Sequence, residues 1–224
     1  MRESEGRQAL LLRVSDALRP LADPLEIPEA AARILGEHLG VSRAFYCDII
    51  DGAWAYIRRD YASGVPPLAG RIPIEALGAA AAEALRRGEP FVLDDVESDP
   101  RFSDAERRAL IGAGSRAILG VGLVRGGRWV ASFGVHDSKP RAWTETDLYL
   151  VRETAERTWE ALERAQAAAT LRENIDELTR FNRAMVARES RMIELKREVN
   201  ELLRRAGGAA KYSLDFEAGG DNDG

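Results

Sequence analysis

Arg116-Ala-Ile-Leu-Gly-Val-Gly-Leu-Val-Arg-Gly-Gly-Arg-Trp-Val-Ala-Ser-Phe-Gly-Val-His-Asp137 reads as two β-strands folded back across Gly126-Gly127. A Gly-Gly pair between alternating segments is a short hairpin signal, because both central residues of the favoured turn need positive φ. Strand residues alternate between faces, so the stretch defines two surfaces. Leu119, Val121 and Leu123 with Ala131, Phe133 and Val135 make one of them, and all are apolar. It is expected to pack against helices. Gly120, Gly122, Ser132, Gly134 and His136 make the other, which is small or polar. Repeated glycine on one strand face marks close approach, either of a ligand or of another backbone. This surface is therefore the candidate ligand-binding face, with Phe45, Cys47 and Tyr56 as its expected neighbours.

Working outward, a second hairpin precedes the first in the chain. Residues 43–50 and 53–61 are aromatic-rich and β-like, and Asp51-Gly52 separates them. Residues 71–74 read as a short edge strand, 75–87 as an Ala-rich helix closed by Gly88, and 91–93 as one more short strand. Ser103 with Glu106 is a capping box that opens a helix over 103–113. Apolar residues at helical spacing place two further helices over 5–18 and 27–39, the second closed by Gly40. An antiparallel sheet with helices before, between and after its strands is an α+β domain.

Downstream, Thr144 and Asp147 form a second capping box, and no proline follows until Gly207-Gly208 ends the pattern. A single helix over 144–206 would extend roughly 90 Å at 1.5 Å per residue, more than a small domain can cover. Its first part carries Leu148, Val151, Ala155, Leu162 and Ala165, a stripe suited to docking on the domain. Farther on, Leu178, Phe181, Met185, Arg188, Met192, Leu195, Val199 and Leu202 alternate by three and four residues. This is a heptad seam, with Arg188 its one non-apolar member, and predicts helix pairing. The expected organisation is an α+β domain over 1–165, a coiled-coil connector over 166–206 and a disordered acidic tail over 207–224.

The 224 residues are 45% hydrophobic and 31% charged with a net charge of −5. That balance, with basic and acidic residues interleaved, argues against a nucleic-acid partner. Cys47 is the single cysteine, so neither an internal disulfide nor a multi-cysteine zinc site is available, and no metal site is expected. No apolar run reaches the ~18 residues needed to cross a bilayer, and no signal-peptide core follows Met1. A cytoplasmic protein without a membrane anchor is expected. Gly120-x-Gly122 lies between strands and so is no phosphate loop, and neither a hydrolase elbow nor a Walker motif is present.

Leu11-Leu-Arg-Val-Ser-Asp-Ala-Leu-Arg-Pro-Leu-Ala-Asp-Pro24, Arg59-Asp-Tyr-Ala62, Asp94-Asp-Val-Glu-Ser-Asp-Pro-Arg-Phe102 and Gly134-Val-His-Asp-Ser-Lys-Pro-Arg-Ala-Trp-Thr144 resemble the GAF domains of bacterial sensor histidine kinases. The resemblance covers residues 10–165, and the stretch from Phe181 onward is similar to the helical connectors of such sensors. It implies a small-molecule-sensing domain, often a homodimer, that signals through its terminal helix in a two-component-type pathway. A separate histidine kinase or a response regulator is the implied partner, because the terminal helix holds no histidine and no ATP-binding segment is visible. In bilin-binding members a histidine placed as His136 contacts the chromophore. Those members attach bilin through a cysteine this chain lacks, so covalent bilin does not carry over; non-covalent haem or another tetrapyrrole stays open, and the cofactor is unassigned. Members that reduce free methionine sulfoxide use several cysteines, so no enzyme is expected. The alternative function is a ligand-free scaffold whose coil drives oligomerisation or recruits a partner.

Overall fold

The hairpin forms as its sequence requires: β6 (Ala117–Arg125) pairs antiparallel with β7 (Arg128–Asp137) across Gly126 and Gly127, at φ 56° and 74°. The computed structural model describes residues 2–214, with side chains from Glu5 onward. Upstream, β1 (Arg43–Ile50) pairs with β7 on one edge and with β2 (Trp54–Ile57) on the other, across Asp51 and Gly52 at φ 53° and 65°. The antiparallel sheet is completed by β3 (Asp60–Ala62) on β1, β4 (Gly70–Pro73) on β2 and β5 (Phe91–Leu93) on β6.

Two departures from the sequence expectation shape the site. The strand expected over 53–61 is broken at Arg58 and Arg59 into β2 and β3, which both pair with β1, at its C-terminal and N-terminal ends respectively. The helix expected over 75–87 is a 3-10 turn at Ile74–Leu77 followed by α3 (Ala79–Arg86), because Gly78 at φ 83° interrupts the helical backbone.

Helices cover one face of the sheet. α1 (Arg2–Leu18), α2 (Glu26–Leu39) and the start of α5 (Glu145–Arg205) bury Val14, Leu18, Ile27, Leu35, Val151 and Ala155 against the face that carries Leu119, Val121, Phe133 and Val135. Each valine, leucine or isoleucine among these contributes about 1.5–3 kcal/mol when fully buried. α5 opens on the expected capping box: the Thr144 N–H donates to Asp147 Oδ2 at 2.9 Å, and the Asp147 N–H returns to Thr144 Oγ1 at 3.1 Å. The opposite face carries a second core of β2, the 3-10 turn, α3 and β5, together with α4 (Asp104–Gly112).

The chain divides into two units, residues 1–167 and 168–224. Within the second, helical residues 168–205 leave the seam in solvent: Leu178 is 62% exposed, Phe181 61% and Leu202 57%. Near its end the helix meets the following residues, as Asn200 accepts from the Lys211 and Tyr212 N–H groups and donates to the Tyr212 carbonyl. The remainder of the expected acidic tail, residues 215–224, lies outside the described residues.

Candidate functional site

Between the second face of the sheet and its cover lies a cavity of ≈480 Å³, within the usual range for small-molecule sites. Gly120, Ser132, Gly134 and His136 of the hairpin line it, with Phe45 and Cys47 of β1 beside them. The walls come from β2 (Ala55, Ile57), α3 (Leu85) and β5 (Phe91). α4 contributes Ala105, Ala109 and Leu110, although none of its residues is fully buried. A Ser103–Glu106 capping box holds its first turn, as expected.

Gly122 and Tyr56 belong elsewhere than expected. A Cβ on Gly122 would sit 2.0 Å from the Leu85 carbonyl oxygen, so that glycine admits the α3 backbone and nothing else. Gly120 is different, since its Cβ would meet only Leu85 Cδ2, at 3.5 Å. Gly134 makes room for the Phe45 ring, which a Cβ would approach to 2.7 Å. On β2 the cavity-facing residues are Ala55 and Ile57, and the alternation turns the intervening Tyr56 away to stack beneath Arg58.

Sequence reasoning missed Trp129, Ser115 and Arg43. Trp129 has the parity of Ala131 and Phe133, yet it lines the cavity because the register shifts between Leu123 and Val124, which pair with Ala131 and Trp129. Its indole N–H donates to the Ala131 carbonyl at 3.0 Å and to Ser132 Oγ at 2.9 Å. Arg43 shares its parity with Phe45 and Cys47, and a charge on an inward face was the readable signal of a buried network.

That network anchors one end of the cavity. Arg43 is 1% exposed. Its Nη1 donates to Ser115 Oγ at 2.9 Å, and its Nη2 donates to the carbonyls of Pro66 at 2.5 Å and Ala113 at 2.9 Å. Nε lies 3.4 Å from Asp60 Oδ2 but is not directed for a hydrogen bond, so Asp60 acts there as a counter-charge. Burial lowers the Arg43 pKa and Asp60 opposes the shift. A guanidinium can only donate, so Ser115 Oγ accepts from Arg43; among the described residues His136 Nδ1, 2.8 Å away, is the one acceptor for the buried Ser115 hydroxyl, and hydrogen-bond satisfaction assigns its hydrogen there. His136 then carries its proton on Nε2. Burial, and secondarily the Arg43 charge, push its pKa down to about 3, so the imidazole is neutral. The Phe45 ring meets it edge-on at 5.0 Å.

Cys47 is 4% exposed, and burial pushes its thiol up to about 12. A group so held is a small core side chain rather than a nucleophile. Among the described residues no cluster of three or more His, Cys, Asp or Glu could hold a metal, and no helix is long and apolar enough to cross a membrane.

A family model of the GAF domain matches residues 23–162. The chain belongs to the GAF family. Its GAF domain is similar in structure to a free methionine-R-sulfoxide reductase from Neisseria meningitidis in complex with its substrate, at 17% identity over 72% of this chain and 91% of that one, TM-score 0.59. It is also similar to the phycoerythrobilin-bound GAF domain of a cyanobacterial phytochrome, at 14% identity over 73% of this chain and 97% of that one, TM-score 0.63. A third likeness is to residues 122 to 287 of a methyl-accepting chemotaxis protein, at 18% identity over 69% of this chain and 98% of that one, TM-score 0.58. At these identities the likeness is one of fold. No curated protein sequence matches.

The cavity of this GAF domain does not fit a tetrapyrrole. Bilin and haem each carry two propionate carboxylates, and among the described residues no lysine or arginine lines the cavity. The charged residues among the described lining are Glu75 and Glu106, which would repel them.

Proposed function

We propose that the protein is a non-catalytic signal-transduction module. Its GAF cavity receives a small molecule, and paired C-terminal helices carry the change to a separate kinase or response regulator in a two-component-type pathway. The supporting observation is that β6 and β7 are shared between the two halves of the device. Gly120, Ser132 and His136 line the cavity, while the alternate residues Leu119, Val121, Phe133 and Val135 pack in one core with Val151, Ala155 and Leu162 of α5. A ligand moves this equilibrium only by binding one packing of sheet against helix better than another. The buried thiol of Cys47 supports a binding role over redox catalysis. Pairing is supported by the exposed seam of Leu178, Phe181, Met185, Met192, Leu195 and Leu202.

The test screens the full chain by thermal shift against cyclic nucleotides, amino acids, haem, biliverdin and uncharged aromatic compounds. Hydrogen exchange along residues 168–205 is then measured with and without any stabilising compound. Altered exchange in the helix is expected, and a compound seated in the cavity that leaves helix exchange unchanged refutes the relay. The ligand-free scaffold reading draws on Gly122 and Gly134, where protein atoms fill the space. It predicts that no compound stabilises the chain.

A further inference from the structure

The polar groups around the cavity restrict what it can hold. Arg43, the nearest buried cation, is committed to Ser115, Pro66, Ala113 and Asp60 and does not line the space. The Glu106 carboxylate is committed to the Ser103 N–H and hydroxyl. Glu75 stands at the exposed rim. An anion entering the cavity would therefore lose its hydration with no cation to replace it and would pass carboxylates on the way, a cost of several kcal/mol. The interior is otherwise aromatic and aliphatic, through Phe91, Phe102, Trp129, Ile57 and Leu85.

Among the described residues two hydrogens in the lining remain without an acceptor. Ser115 takes up His136 Nδ1, and His136 has no other hydrogen bond, which leaves the Nε2–H of a ring that lines the cavity. Ser132 Oγ accepts from Trp129, and its own hydrogen has no acceptor. Both belong to neutral groups on the β7 floor. The lining thus offers hydrogen-bond donors without a formal positive charge.

Resting on the reading of this cavity as the sensory site, we propose that its ligand is an uncharged, largely aromatic molecule with a carbonyl or similar acceptor that receives the His136 Nε2–H. Three compounds of one skeleton test this on the full chain. Benzophenone has the acceptor and no charge, diphenylmethane lacks the acceptor, and 4-benzoylbenzoate adds a carboxylate. Calorimetry is expected to show benzophenone binding about three- to tenfold more tightly than diphenylmethane, the range of one neutral hydrogen bond. The carboxylate should bind at least about a hundredfold more weakly than the ketone.

Replacing His136→Leu should remove the preference for the ketone. Should that variant fail to fold, the comparison of ketone with hydrocarbon on the unaltered chain still reads the donor. Ala109→Trp, on the exposed surface of α4, should weaken all three, and illumination should place benzophenone adducts on peptides lining the cavity. Carboxylate binding as tight as the ketone's, with adducts in the cavity, overturns the ligand class while leaving a sensory cavity in place. Equal affinity for ketone and hydrocarbon overturns the His136 contact. Adducts mapping elsewhere, with Ala109→Trp without effect, overturn both the ligand class and the site.

Discussion

Replacing His136→Gln makes the buried network report on itself through pH. In the folded protein His136 stays neutral down to about 3, because its ring is buried beside the Arg43 guanidinium. In the unfolded chain the same group takes up a proton below about pH 6.5. The unfolded state then binds more protons, so this contribution to stability is full above about pH 6.5 and declines as pH falls toward 3. The slope approaches about 1.4 kcal/mol per pH unit, giving a loss of about 2 kcal/mol between pH 6.5 and pH 5. A glutamine keeps a neutral polar group at the position and removes the titration. The pKa values of Asp95, Asp99 and Glu106 are also lowered, but what they contribute is lost only below the ordinary carboxylate range, outside this window. His38 is common to both proteins. Urea denaturation across the window should therefore show the parent losing about 2 kcal/mol more than the variant, or about 4–8 °C of Tm for a chain of this size. Parallel stability curves for the two proteins would refute a neutral buried His136.

Gly122→Ala should destabilise by about 1–3 kcal/mol, since its Cβ would meet the Leu85 carbonyl at 2.0 Å, whereas Gly120→Ala, with only Leu85 Cδ2 at 3.5 Å, should cost under about 1 kcal/mol; thermal denaturation compares them. Ser103→Ala removes the cap of α4 and should cost about 0.5–2 kcal/mol, seen as faster amide exchange in α4 with little change elsewhere. The double change Met185→Asp and Leu195→Asp places charges on the exposed seam and should lower the mass measured by light scattering at micromolar concentration; an unchanged mass would exclude the seam as the dimer contact.

The parts of the fold written in local chemistry were readable from the chain. Asp51-Gly52 and Gly126-Gly127 specify their turns because the favoured hairpin needs positive φ at both positions. Ser103 with Glu106, and Thr144 with Asp147, specify helix starts because each pair satisfies its own unpaired N–H groups. The split of β2 from β3 was not readable, because Arg58 and Arg59 leave the ladder only in response to where β1 offers partners. The roles of the three glycines were equally hidden. Gly120, Gly122 and Gly134 are alike as letters, and only the positions of α3 and Phe45 decide which of them borders open space. Trp129 was lost to a single extra residue in the ladder, which reverses the face of the β7 residues between it and the turn.

The cavity's two helical walls differ in how freely they can vary over evolutionary time. α3 meets β6 backbone to backbone at Leu85 and Gly122, so substitution at that junction is costly. α4 has no fully buried residue, yet it presents Ala105 and Ala109, both exposed, to the ligand space. Exposed helical positions of this kind usually accept replacement within about 0.5 kcal/mol. Descendants of such a protein could therefore exchange one chemical cue for another by altering these two residues of α4, while the floor of the sheet and its connection to α5 stayed as they are.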